Sequence, residues 1–346
     1  MISSLSAHIR RAVLATCLAP FASAMAQAPD AVNQYLHKMG LNDAQIASAA
    51  AGKAFAKLIP SKNDRDVVSF GVIGVPVSAA DYMKHALDAG RLIGAGSSRF
   101  RIIANPATPA DVRDAVFDSS EYRDLKTCKP GKCNFKMPAS AMKSFTEGIN
   151  WSAPDAKAQA DAKLQAGMLE FINAYRSRGN DAMLVYDDNG GVHASAAYSA
   201  LLAQSSELFD YAPPLQKYLT SYPANRPAGA RDILYWATGR PPRLRPTLTI
   251  NHVVVYPSSS GTTLIARKQV YANHYFEGAF ELLAVASAGP DAAAAPIYLI
   301  TVRRYRFDNL PGGVMNVRGK VRDGLVDVTR SSLNRERAAA TLAARR

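Results

Sequence analysis

Residues 262–286 read TTLIARKQVYANHYFEGAFELLAVA, a run of β-branched and aromatic residues without proline, and the fold turns on how they are read. The composition is that of a strand. TLTINHVVVY (247–256) precedes it across PSSSG and has the same character, so the two should pair as a hairpin. Pairing through that turn puts His252 opposite Arg267. Gly278 marks a bulge or bend in the second strand. After SAGPDAAAA comes PIYLITVRRYRF (296–307), a third strand, and Pro311-Gly312-Gly313 then ends the sheet pattern. Beyond it Val314, Val317, Val321, Leu325, Val328 and Ser332 form one helical stripe, with Arg318, Arg322, Asp323, Asp327 and Arg330 off it. Long antiparallel strands followed by one long amphipathic helix predict an α+β fold. A curved antiparallel sheet packs on the C-terminal helix, and the middle region is helical.

Working back toward the start, the spacing predicts a helix over 43–59, a strand over 67–77 and a helix from Ser78 to Gly90. A short strand at 100–103 follows, then a helix opened by Pro109 and a strand at 134–137. Helices are predicted at 139–148, 155–175 (closed by Gly179-Asn180) and 195–208, with a short strand at 183–186 running into the DDNGG turn. The Pro- and Tyr-rich stretch YAPPLQKYLTSYPANRPAGARD suggests a sub-boundary near 211–231 within a domain spanning 30–346.

The first 26 residues predict export. MISSLSAHIRR is basic, AVLATCLAPFASAMA is apolar, and Ala24-Met25-Ala26 fits an A-x-A cleavage site before Gln27. That apolar run is shorter than the ~20 residues a membrane span needs. The expectation is therefore a removable signal peptide and a periplasmic or secreted protein. At 48% hydrophobic and 20% charged, the rest has the composition of a folded chain and not a disordered one.

Export gives KTCKPGKCNF (126–135) its reading. In an oxidising compartment an isolated cysteine pair is first a disulfide, and Pro130-Gly131 between Cys128 and Cys133 folds the chain back. Redox motifs and haem attachment use C-x-x-C, and structural zinc wants four ligands, so the pair reads as a local staple.

The three strands and final helix, together with GVIGVPVSAADYMKHALDAG (71–90), resemble the helix-grip arrangement of START-like (StAR-related lipid-transfer) domains over residues 67–90 and 233–337. The likeness lies in element order, and the helical middle departs from it. It implies an apolar cavity between sheet and helix and binding of a lipid or other apolar small molecule; it does not by itself imply catalysis.

Candidate ligand-binding residues are Tyr271, His274, Phe276 and Gly324. On a regular strand Tyr271, Asn273 and Tyr275 share one face and His274 and Phe276 the other, and either face can line a cavity. Gly319 and Gly324 each cost a helix about 1 kcal/mol against alanine, which close packing or cavity space would explain. His193, His252 and His274 are the histidines to test for catalysis. His274 is the one that would serve a periplasmic hydrolase, the alternative to a non-catalytic carrier. Glu277 and Glu281 would share a face were Gly278 not between them to break the register. The DDNGG turn lacks the ligand spacing of a calcium loop. No nucleophile elbow, phosphate loop or dinucleotide fingerprint occurs, and no cofactor or metal is expected. The net charge of +13, with arginines at 303, 304 and 306 and at 240, 243 and 245, suits solubility or contact with an anionic envelope surface. In an exported protein, nucleic acid is not an expected partner.

Overall fold

The computed structural model describes residues 27–88, 97–205, 209, 212–239, 245–289, 294–308 and 317–345. The expected signal segment, Gly90, Val314 and the break at 311–313 lie outside these residues. The fold is the α+β class the sequence predicts: an open eight-stranded antiparallel sheet with a long C-terminal helix packed on it and helices in the middle of the chain.

In chain order, α1 (Gln27–Lys38) and α2 (Asp43–Ala50) precede β1 (Phe55–Ile59), β2 (Asp66–Val75) and α3 (Ala79–Ala86). β3 (Ser97–Ile102) leads to short helices α4 (Pro109–Val112) and α5 (Glu121–Leu125), then α6 (Ala139–Thr146) and α7 (Ala156–Arg178). A two-stranded ribbon, β4 (Val185–Tyr186) with β5 (Val192–His193), is followed by α8 (Ala194–Ala203) and α9 (Pro213–Ser221). The last sheet strands are β6 (Arg231–Gly239), β7 (Thr247–Pro257), β8 (Thr263–Ala272), β9 (Phe276–Ser287) and β10 (Ile297–Phe307), and α10 (Val317–Ala343) ends the fold. The strand order is β1-β2-β10-β9-β8-β7-β6-β3.

Both faces of the sheet are covered, which explains why all ten residues of β2 are buried and why DVVSFGVIGV carries no polar/apolar alternation. Odd-numbered β2 residues meet α10: Ser69 and Thr329 hydroxyls are 2.8 Å apart, and a Cβ on Gly71 would lie 2.7 Å from Thr329 and 2.8 Å from Leu333. Even-numbered residues meet the N-terminal helices, where a Cβ on Gly74 would lie 2.6 Å from the Ala50 carbonyl oxygen. The core on that side continues under the middle helices, joining Trp236, Val254 and Phe280 to Tyr175, Leu201 and Leu219. α9, inside the suspected sub-boundary, thus contributes to the same core as the sheet. Gly179 closes α7 as the sequence predicts, with φ +59° and no room for a side chain: a Cβ there would lie 1.6 Å from the Tyr222 carbonyl oxygen.

Several expectations need correction. The stretch 43–59 is not one helix: it stops at Ala50, turns through Gly52 (φ +89°), and continues as β1. Residues 262–286 are not one strand. They form β8 and β9 joined at Asn273–Tyr275, where Tyr275 takes φ +62° and the Asn273 side chain accepts the Leu248 N–H at 2.8 Å, holding the turn against β7. β6, a stretch given no element of its own above, pairs with β7 and with the edge strand β3. Residues 134–137 join no strand; Lys136 N–H bonds to Asn273 O, and Met137 O accepts from Asp187 N–H. On α10 the inward line runs through Thr329 and Leu333, and Val328, assigned to the stripe, is 43% exposed. The inward line is offset by one position from Val328 and Ser332, because the close approach of Gly71 and Ser69 on β2 seats Thr329 and Leu333 against the sheet. His252 faces Lys268, one position from the expected Arg267.

Candidate functional site

The four residues proposed to share a ligand site are distributed over different surroundings. Tyr271, near the end of β8, faces the middle helices. His274 sits in the β8–β9 turn and faces the stapled loop. Phe276 packs on Tyr305 and Phe307 with ring centroids 5.8 and 4.9 Å away. A Cβ on Gly324 would meet nothing within 4 Å, so close packing does not explain that glycine.

Tyr271 lies on the floor of an apolar groove of about 540 Å³ between α6, α7 and the sheet. Phe117, Met137, Phe145, Met168 and Phe171 supply most of its wall, with Lys163 and Arg178 on its rim. The α7 face comes from the apolar positions Leu164, Met168 and Phe171, spaced three and four apart. Burial pushes the Tyr271 hydroxyl well above the ordinary tyrosine range, so it stays protonated, and it makes no hydrogen bond among the described residues. A phenol on the floor of an apolar groove with no protein partner is the kind of group that orients a ligand there.

His274 is engaged at both ring nitrogens. Nδ1 lies 2.6 Å from the Asn134 carbonyl and Nε2 lies 2.7 Å from Glu121 Oε1. Since a carbonyl only accepts, Nδ1 carries hydrogen, and Nε2 is committed to a carboxyl group 3% exposed. Both nitrogens are occupied by protein groups, so neither faces a substrate. Glu121 was not legible as its partner, because the pairing spans 153 positions.

Beside His274 the stapled loop forms one wall of a polar cleft of about 920 Å³. Cys128 and Cys133 are paired at disulfide distance, Cα–Cα 4.6 Å. Deeper in, Lys136 (1% exposed) bridges Asp188 and Asp308, 3.3 Å from each. Burial pushes the Asp188 carboxyl up, with Lys136 pulling the other way. Glu277 is the residue at which the β9–β10 register shifts, and its neighbour is Arg65. Burial raises its carboxyl despite Arg65. Glu281 lies apart, paired to Arg267 at 3.0 Å on the α10 face of the sheet.

That face holds a pocket of about 150 Å³ lined by Tyr235, Asn251, Arg267, Gln269, Glu281 and Tyr305. It is polar, unlike the apolar space expected between sheet and final helix.

A fourth cluster runs inward from the surface at Arg226 to the buried His252 and Lys268. His252 Nε2 is 2.8 Å from Asp232 Oδ1 and its Nδ1 is 2.9 Å from the Tyr175 hydroxyl. Tyr218 donates to Asp232 Oδ1 at 2.8 Å, and Arg226 approaches Oδ2 at 3.0 Å. Lys268 (1% exposed) lies 4.0 Å from the Tyr198 ring centroid and 5.0 Å from that of Tyr175, and it hydrogen-bonds Asn180 Oδ1. Burial drives the Lys268 ammonium far below the ordinary lysine range. One signal for it was present: Lys268 alternates with Ala266 and Val270 on the buried side of β8. His193 is exposed on β5, apart from both other candidate histidines. Among the described residues no three His, Cys, Asp or Glu side chains are placed to hold a metal ion, and no helix is long and apolar enough to cross a membrane.

No family model, curated protein or solved structure matches this chain.

Proposed function

We propose that the protein is an exported, non-catalytic carrier holding one apolar small molecule in the groove between α6, α7 and the sheet. The observation that carries this reading is the uncommitted Tyr271 hydroxyl at the floor of an apolar groove whose volume lies in the range of small-molecule sites. A ligand with a hydrocarbon body and one acceptor, such as a carboxylate or carbonyl, fits both features. The cationic rim residues Lys163 and Arg178 favour an acidic head. The engagement of both His274 nitrogens supports carriage over hydrolysis.

The test is a titration with dodecanoic acid, preceded by native mass spectrometry of protein purified from the periplasm before and after organic extraction. A lipid-range mass lost on extraction, and dodecanoate binding weakened about tenfold or more in Gly167→Trp, would support the reading. Gly167 lines the groove, and its missing Cβ has nothing within 4 Å, so the indole can cover the opening without disturbing the core. Binding unchanged by that variant would overturn it.

A further inference from the structure

The second site lies beneath the stapled loop, and it differs in chemistry from the groove. Lys126, Lys129 and Lys132 all line the cleft and are exposed. None has a carboxylate within salt-bridge reach among the described residues; Lys126 instead lies 5.4 Å from the Trp151 ring centroid. The loop that presents them is held in place. The disulfide closes it, Lys132 N–H bonds to Lys129 O at 2.9 Å, and Gly131 N–H bonds to Asp187 O at 2.7 Å. The two ammonium groups of Lys129 and Lys132 on one fastened turn, with Lys126 beside it, form a pre-organised site for a multiply charged anion, as lysine does for phosphate.

The cleft also contains an acceptor with nothing to accept. Asp188 is 7% exposed, one carboxylate oxygen faces Lys136 at 3.3 Å, and Oδ1 has no hydrogen-bond partner. A buried acceptor left unsatisfied costs about 1–3 kcal/mol, which a bound donor would recover. Lys136 shares its single charge between Asp188 and Asp308, and a hydroxyl next to a phosphate supplies the missing donor from the same ligand that the lysines attract.

We propose that this cleft binds a phosphorylated polyol, its phosphate held by Lys129 and Lys132 and a neighbouring hydroxyl donated to Asp188 Oδ1. The same chemistry is carried by a free sugar or glycerol phosphate and by a phosphoglycerol lipid headgroup.

The experiment is isothermal titration of the mature chain with glycerol 3-phosphate, methyl phosphate and inorganic phosphate at low and high salt. Vesicles of phosphatidylglycerol are sedimented in parallel against phosphatidylcholine. Glycerol 3-phosphate should bind about tenfold more tightly than methyl phosphate, which lacks the hydroxyl, and binding should weaken with salt. The exposed double variant Lys129→Glu/Lys132→Glu should weaken it by about tenfold or more without lowering the melting temperature. Soluble binding without vesicle capture identifies a free phosphate ester. Capture by phosphatidylglycerol alone, lost in the double variant, identifies the headgroup. Equal affinity for methyl phosphate, or unchanged binding of both probes by the double variant, would overturn the proposal. Gly167→Trp should leave cleft binding intact, so the two sites fail separately.

Discussion

The Tyr175 hydroxyl lies 2.9 Å from His252 Nδ1, and the opposite nitrogen of that ring lies 2.8 Å from Asp232 Oδ1. One neutral tautomer satisfies both contacts: Nε2–H donates to the carboxylate and Nδ1 accepts from the phenol. Burial holds the Tyr175 phenol far above its ordinary range and lowers His252 below its own, outweighing the pull of Asp232. The helical layer is thus fastened to β7 by an uncharged histidine.

Acid should loosen that fastening. The unfolded chain protonates His252 below about pH 6.5 while the folded chain does not, so stability falls as pH drops through that value. Thermal melts between about pH 7 and 5 should show the decline, and His252→Gln should flatten it while lowering the melt at neutral pH. A wild-type melting temperature unchanged down to pH 5 would show that His252 takes a proton in the fold.

Lys268 acts in the same direction at higher pH. Its folded value lies below the unfolded one of about 10.4, so the unfolded chain binds the extra proton and stability rises with pH toward that value. Between about pH 7 and 9.5, below the point where unfolded tyrosines ionise, Lys268→Met should reduce this slope. Chemical denaturation at several pH values measures it, and an equal slope in the variant refutes a neutral lysine.

Two glycine substitutions should have opposite signs. Gly179→Ala forces a Cβ into the Tyr222 carbonyl at a positive φ and should cost about 3 kcal/mol or more. Gly324→Ala meets open space inside a helix and should stabilise by up to about 1 kcal/mol. Urea titration of both variants decides the matter.

Arg306 grips Asp66 through two nitrogens at 2.7 and 2.9 Å, and the carboxylate is fully buried. Arg306→Ala would strand that charge across the β2–β10 ladder and should cost about 3–5 kcal/mol. A loss below about 1 kcal/mol would mean that water reaches Asp66.

Removing the staple should have a small global effect and a larger local one. Cys128→Ser/Cys133→Ser should lose about 2 kcal/mol, the value expected for so short a loop. Hydrogen exchange at Gly131 and Lys132 should rise more than in the β8–β9 ladder, and protection equal to the wild type would show that the Asp187 contact alone holds the turn.

Some of this was decided by the sequence itself. Composition and periodicity along 247–343 are local properties, and they specify β-structure followed by a terminal helix without knowledge of neighbours. The Cys128–Cys133 staple is equally local, since its two ends are five residues apart. The turn at Asn273–Tyr275 was not legible, because a strand-forming tyrosine takes a positive φ there and the stabilising bond comes from Leu248 on another strand. β1 hid in an alanine-rich helical pattern for the same reason: pairing with β2 overrode propensity. The binding surfaces belong to tertiary structure alone. Tyr271 and Phe171 are a hundred positions apart, as are His274 and Glu121 and more, and whether Tyr271 meets an apolar groove or a polar cleft depends on which helix covers its strand. A sequence fixes which side chains alternate on a strand; only packing decides what each face meets.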